Sequence, residues 1–304
     1  MICSLVMPTQ NRPGRLERSL HALAELPIER FSEAGGIELV IADDASELPV
    51  AAPSELTNGL PVTVVRLDEP AGAAARNRGA EVARGEWVMM LDDDSWPLDD
   101  AAVNLMLDAA HEPALFAVGA QILTPTGTRE RGGLPEVIVG CGVLVRREMF
   151  LELGGYDPSL HYYAEEYDLS ARAIAAGYAI THDFRWRVRH ERAMHGRDLN
   201  AILQRLVRNS AWVAHRYAPE PLREAAVAEI VNRYREIARK ENAVAGFERG
   251  FTEFRIGLFD QPRTPMTDEQ WDRYTGRAAV RDHLAAVPAL DGARVALVDR
   301  DAEF

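Results

Sequence analysis

Three consecutive carboxylates, Asp92, Asp93 and Asp94, follow directly on the apolar run "WVMML". Two carboxylates held about 4 Å apart repel by roughly 4 kcal/mol at an effective dielectric near 20, so a partly buried pair needs an offset. On an extended chain the side chains at i and i+2 share a face, which turns Asp92 and Asp94 together and Asp93 away. Two hard oxygen donors on one face suit Mg2+ or Mn2+, ions that also take substrate phosphates. A solvated acidic turn offsets the repulsion as well, and the triplet alone leaves both readings open. The apolar run before it favours the ion, because it fixes the carboxylates on a rigid element.

A second acidic group, Glu165, Glu166 and Asp168, lies in "YYAEEYDLSARAIAAGY". These residues crowd the expected first turn of a helix, where the macrodipole favours negative charge. That end effect accounts for all of them. The alternative is a general base, a carboxylate aimed into a cleft to take a proton from an incoming hydroxyl. Further on, "RVRHERAMH" holds His190 and His195. A histidine after a strand gains meaning only from its company, here as an imidazole partner for an aspartate-bound cation.

The elements that must position these groups alternate between two periods. Apolar runs at 2–7, 37–42, 61–67 and 87–91 read as strands. Between them come a helix through Leu16, Leu20 and Leu23, with Pro13 near its start, and an alanine-rich helix over "AGAAARNRGAEVARG" closed by Gly85. Continuous apolar strands separated by helices predict a parallel sheet covered on both faces. Ligands bind such sheets beyond the carboxyl ends of the strands, where "ADDAS" and "DDDS" both fall. A helix through Leu107, apolar segments at 114–123 and 137–145, and a helix over 165–176 capped by Gly177 follow. The stretch "TPTGTRERGGLP" is rich in turn residues and reads as a loop. From Asp198 the texture becomes helical, with "TDEQ" at 267–270 matching a capping box and "ARVALVDRD" a last strand. The expected division is therefore 1–197 and a helical extension, 198–304, packed on the core or forming a dimer contact.

A formal net charge of −13 argues against nucleic acid as a partner and against simple adhesion to anionic lipid. No apolar run approaches 18 residues, and the first residues lack a signal peptide's pattern, so a cytoplasmic protein is expected. Cys3 and Cys141, the only cysteines, sit in apolar segments and read as buried thiols in a reducing compartment.

Taken in order, these segments resemble the family 2 glycosyltransferases. "VMPTQNRPGRLERSL" is similar to that family's opening strand-loop-helix, and "ELVIADDAS" to its nucleotide turn. "AGAAARNRGAEVARGEWVMMLDDDSWP" is similar to its Ala-Arg-Asn-x-Gly helix followed by the metal-binding Asp-x-Asp (DXD) motif. "GCGVLVRREMFLELGGYDPSL" and "EEYDLSARAIAAGY" resemble the acceptor-side strand and turn and the Glu-Asp-x-Asp-Leu helix. The match covers roughly residues 1–195, and ordered motifs are far more specific than any single one. The resemblance implies an α/β GT-A fold, Rossmann-like, followed by a mostly helical C-terminal region. It implies an inverting transfer from a UDP- or dTDP-sugar to a small-molecule, glycan or carrier-linked acceptor, assisted by Mn2+ or Mg2+. Thr9 and Asp44 would contact base and ribose, Arg76 would lie near the diphosphate or base, and Asp92 would approach the ribose, with Asp93 in the same nucleotide-sugar site. Asp94 and His190 would hold the metal, and Glu166 would be the base, where the family usually has aspartate.

Two rival readings stand beside this one. Haloacid-dehalogenase-type phosphatases place a nucleophilic aspartate and a second acid as Asp92 and Asp94 are placed, but they need a downstream lysine, and Lys240 is the only lysine in the chain. A catalytically silent nucleotide-sugar-binding module is the non-enzyme reading. A dinucleotide oxidoreductase would need a G-x-G-x-x-G after the first strand, and none is there.

Overall fold

A computed structural model describes residues 1–130, 133–192 and 198–285. His195 and the expected last strand at 293–301 lie outside the described residues. The expected strands form β1 (Cys3–Thr9), β2 (Ile37–Asp43), β3 (Val62–Arg66) and β4 (Trp87–Met90). Later in the chain come β5 (Ser95–Pro97), β6 (Leu115–Leu123), β7 (Arg129–Glu130), β8 (Val143–Arg146) and β9 (Ala179–His190). They build one sheet in the order β3-β2-β1-β4-β8-β6-β9-β5, with β7 paired to β6. The first half is parallel, and the pairs β4–β8, β8–β6 and β9–β5 are antiparallel.

Alternating side chains explain why the central strands are apolar throughout. Leu5, Met7, Leu39, Ile41 and Met89 enter one core, while Val6, Val40, Val88 and Met90 enter another across the sheet. Two expectations need correction. The alanine-rich helix runs only over Ala75–Val82, because Ala83 is already extended. Gly85 is needed for another reason: a Cβ there would stand 2.5 Å from the backbone nitrogen of Ser4. In the apolar segment 137–145 only the end is strand, so Cys141 lies in the turn before β8.

The C-terminal helices are Leu199–Tyr217, Arg223–Lys240, Val244–Ile256, Asp268–Tyr274 and Arg277–Ala285. Thr267 and Gln270 form the expected capping box. Leu203, Val207, Trp212, Phe247 and Phe254 pack into their own core, which Leu160 joins from ahead of the acidic helix. Among the described residues no helix is long and apolar enough to cross a membrane.

The helix Val244–Ile256 crosses Leu199–Tyr217 at a glycine contact. A Cβ on Gly250 would collide with the carbonyl oxygen of Gln204 and stand 2.5 Å from Val207 Cγ1. Helix propensity alone makes Gly→Ala stabilising by about 1 kcal/mol. Overpacking costs about 1–3 kcal/mol and sets the sign here, because the opposing atom is backbone. Gly250→Ala should therefore lower the urea midpoint, and a raised midpoint would mean that the two helices separate cheaply.

Candidate active site

Strands β1, β2 and β4 end on one side of the sheet, Thr9 level with Asp43 and Val6 with Met90. There the chain turns sharply through the aspartates. Ser95 closes the turn, its N–H donating to Asp92 O (3.0 Å) and its hydroxyl accepting from Asp92 N–H (2.8 Å). Ser95 then pairs with His190 across β5 and β9, and Glu191 N–H donates to Asp94 O at 2.7 Å. This register brings an imidazole nearly a hundred residues distant to the acidic turn.

Arginines offset the repulsion among the carboxylates. Asp92 pairs with Arg76, and Asp94 with Arg15 and with Arg12, the latter at 2.6 Å. Asp93 turns the other way, accepting from the Thr9 hydroxyl (2.7 Å) and pairing with Arg12 (2.7 Å). Burial pushes the Asp93 carboxyl up to about 6 against the pull of Arg12 and Thr9. Burial acts likewise on Asp94, but the contacts from His190, Arg12 and Arg15 outweigh it and hold that group at about 2. Arg12 and Arg15 were not singled out in the sequence, although both stand in the opening motif; their pairing crosses some 80 residues.

Asp92 and Asp94 nevertheless share a third neighbour. His190 Nε2 lies 3.4 Å from Asp94 Oδ1 and 3.7 Å from Asp92 Oδ2. Neighbouring ligands on an octahedral ion with 2.1 Å bonds stand about 3 Å apart, so His190 Nε2 is within reach of sharing an ion with either carboxylate, and gathering both on one ion needs the two side chains to move together. Arg12 and Arg15 engage the other Asp94 oxygen, Oδ2, and leave Oδ1 facing the imidazole. The Cys141 thiol completes a cluster in which donor atoms of Asp92, Cys141 and His190 lie within 4.8 Å of one another. Burial raises that thiol to about 11, and as a soft sulfur donor it is poorly matched to a hard Mn2+ or Mg2+ ion. Glu130, absent from the sequence expectations, reaches His190 Nδ1 at 2.7 Å. It sits in the turn-rich stretch, where no periodicity marks it.

The acidic helix forms over Glu165–Ala175, as expected. Its first carboxyls part company. Glu165 is buried and Glu166 half-buried, with Glu166 Oε1 accepting from Gly140 N–H at 3.2 Å. Burial raises both, and for Glu165 the charge of Glu166 adds to it. Arg76 Nε, Tyr156 OH and Glu165 Oε2 are buried without a hydrogen-bond partner among the described residues. A Cβ on Gly140 would stand 3.1 Å from Glu166 Oε1, 3.8 Å from Tyr156 OH and 3.9 Å from Arg76 Cζ, so these groups wall one niche. Each orphaned polar atom costs about 1–3 kcal/mol unless something fills that niche.

Asp168 serves the fold. It accepts from Tyr217 OH (2.8 Å) and pairs with Arg172 and Arg216, both at 2.8 Å. The turn before the helix has left-handed residues at His161, Tyr163 and Ala164. Asn209, in the long helix Leu199–Tyr217, holds the carbonyls of Leu160, Tyr162 and Tyr163 at 2.8–2.9 Å.

Asp44 is deeply buried, its carboxylate accepting from the backbone N–H groups of Ala71 (2.6 Å) and Gly72 (3.0 Å). Gly72 takes φ +65°, and a Cβ there would stand 2.5 Å from His161 O. Asp44 thus shapes the loop ahead of the helix that carries Arg76. The structure brings together Asp92, Asp94 and His190 on one side and Arg76 and Glu166 on the other, while Thr9 reaches the site through Asp93.

A mixed sheet covered by helices, with carboxylates at the ends of its central strands, is the GT-A fold. The model of glycosyl transferase family 2 matches residues 4–164, more than half of the chain, and the chain belongs to that family. An uncharacterized glycosyltransferase of Haemophilus influenzae is 28% identical over 189 residues, covering 56% of this chain and 61% of the relative. The amylovoran biosynthesis glycosyltransferase AmsB of Erwinia amylovora is 28% identical over 204 residues, covering 58% and 64%. The chain spans under two thirds of the length of these curated relatives. Among solved structures, the mannosyltransferase PcManGT from Pyrobaculum calidifontis in complex with GDP-Man and Mn2+ superposes with a TM-score of 0.54 at 17% identity, covering 95% of this chain and 82% of that one. S. aureus TarS 1–349 in complex with UDP-GlcNAc gives the same TM-score, identity and coverage.

Proposed function

We propose that this chain is an inverting glycosyltransferase that moves a sugar from a UDP- or dTDP-sugar to a hydroxyl or amine acceptor with Mn2+ or Mg2+. The observation that carries the reading is His190 Nε2 standing within 4 Å of both Asp92 Oδ2 and Asp94 Oδ1, beside a niche walled by Arg76, Tyr156 and Glu166. Solved structures of the same fold hold nucleotide-diphosphate sugars: TarS holds UDP-GlcNAc, which supports the uridine choice, and PcManGT holds GDP-Man with Mn2+, which supports a metal.

Asp94 and His190 hold the cation in this reading, with Asp92 between it and the ribose. The bound ion would stabilise negative charge on the departing diphosphate. Thr9, Asp93 and Asp44 form the base and ribose side, with Asp93 fixed by Thr9 and Arg12. Arg76, always charged, faces the diphosphate from the buried side. Glu166 takes the proton of an acceptor hydroxyl that attacks the anomeric carbon from the face opposite the leaving group. Burial raises the basicity of this carboxyl, which brings it nearer the pH at which it must work.

The acceptor is a small molecule, a glycan or a carrier-linked sugar, and the setting is the cytoplasm. Residues 1–197 form the transferase domain and 198–304 the extension, which also offers a contact for a second copy. The phosphatase alternative has little support: Lys240 is 79% exposed at the end of its helix and pairs with Glu241.

A thermal-shift series with UDP- and dTDP-sugars, with and without Mn2+, tests the reading. A ligand that binds only the folded state raises its apparent stability, by about 2.7 kcal/mol at a hundred times Kd. Asp94→Ala should lose the Mn2+-dependent part of the shift, whereas Asp93→Asn should keep it. Equal Mn2+ dependence in wild type and Asp94→Ala would remove Asp94 from the metal site.

A further inference from the structure

We propose that Glu130 is a positioning residue that makes His190 a cation ligand through Nε2; this rests on the metal-assisted reading above. Glu130 Oε2 lies 2.7 Å from His190 Nδ1, and its other oxygen lies 3.2 Å from Arg192 Nη1. The bond is built into the sheet. Ile122 of β6 is level with Glu130 of β7 on one side and with Val188 of β9 on the other. His190 is two residues beyond Val188, on the same face of β9.

An ionised carboxylate can only accept, so Nδ1 must donate. Glu130 Oε1 accepts from the Arg192 guanidinium while Oε2 faces Nδ1, so the carboxylate is placed to accept from both. A binding cation can displace the proton of only one ring nitrogen, and with Nδ1–H held by Glu130 that atom is Nε2, which faces Asp94 Oδ1 at 3.4 Å and Asp92 Oδ2 at 3.7 Å. Cys141 Sγ, 3.5 Å from the same Nδ1, is the weaker partner. Without Glu130 the proton that stays on the ring when the cation binds loses its carboxylate partner at Nδ1, and the tautomer with the proton on Nε2, donated to Asp94, competes with the ligating one. That arrangement occupies both ligand atoms at once. Partners on the far nitrogen of a ligating histidine fix its tautomer and orientation, and their loss typically weakens metal binding about 10–100-fold.

The test measures uptake of Mn2+ in the presence of saturating UDP, read from the electron paramagnetic resonance of the free ion. Glu130→Ala should bind Mn2+ about 10–100-fold more weakly than wild type. Glu130→Gln, whose amide oxygen still accepts from Nδ1–H, should stay close to wild type. Arg192→Ala should also stay close, because it removes the loop's other tie to Glu130 and leaves the imidazole contact. Nitrogen NMR of the Mg2+-loaded wild type should find the His190 proton on Nδ1, a readout independent of how any variant folds. Wild-type protein that takes up no Mn2+ would overturn the metal-assisted reading together with this inference. Normal uptake by wild type and by Glu130→Ala alike would overturn the inference alone. So would a proton found on Nε2, or an Arg192→Ala loss as large as that of Glu130→Ala.

Discussion

Glu166→Gln should lower kcat by about 10²–10⁴, the usual range for removing a general base, while donor and acceptor binding stay near normal. The amide keeps the size of the side chain and removes its basicity. Its oxygen can still accept from Gly140 N–H, which holds the carboxylate at 3.2 Å. Glu165→Gln should cost much less. That carboxyl is buried, and burial and the charge of Glu166 both raise its pKa, while Glu166 rather than Glu165 lines the niche at Gly140. A direct displacement assisted by a base forms no glycosyl-enzyme adduct, so the product should show an inverted anomeric centre by NMR. Retention of configuration would refute the mechanism, and a larger loss in Glu165→Gln would move the base by one residue.

Arg216→Met should destabilise the fold by about 3 kcal/mol, the lower end of the range for breaking a buried ion pair. Arg216 is 3% exposed and Asp168 1%, and the guanidinium also pairs with Asp157 at 2.6 Å. Methionine keeps most of the volume but leaves Asp168 short of a charge. Arg172 and Tyr217 remain on that carboxylate, which is why the loss stays at the low end. Arg239→Met provides the comparison: its pair with Glu236 lies on an exposed helix face, where such contacts are worth about 0–1 kcal/mol. Urea unfolding of both variants measures the difference. Similar midpoints would mean that water reaches Asp168 freely.

The legible part of this protein was what is local. Runs such as 2–7 and 37–42 announce strands because both faces of the sheet are covered, and the acidic helix announces itself through its first-turn carboxylates. Motif order then carried the fold and the family. What stayed hidden depends on pairing across distance. Nothing near Arg15 says that it meets Asp94, and nothing in a turn-rich loop marks Glu130 as the neighbour of His190. The aspartate triplet left open whether an ion or water offsets its charge; the structure shows guanidinium groups, with one face left to the imidazole. Nothing in the sequence shows that both oxygens of Asp44, expected on the base and ribose side, also hold loop backbone. A carboxylate that binds ribose and one that pins a turn look identical in a sequence.

The clamp that Asn209 places on the turn ahead of Glu165 also fixes an order of events during synthesis. Left-handed backbone at non-glycine residues costs of order 1–3 kcal/mol each and persists only where the surroundings impose it. His161, Tyr163 and Ala164 leave the ribosome roughly 45 residues before Asn209 does. At about 5–20 residues per second, the nascent sheet therefore waits several seconds without the side chain that secures this turn. The nucleotide side of the cleft, built from residues before 100, can assemble early. The turn ahead of Glu165 and Glu166 is secured later, so a chain interrupted before Asn209 is made carries the strand ends with Thr9, Asp44 and Asp92 but not the clamp that orders the start of the acidic helix.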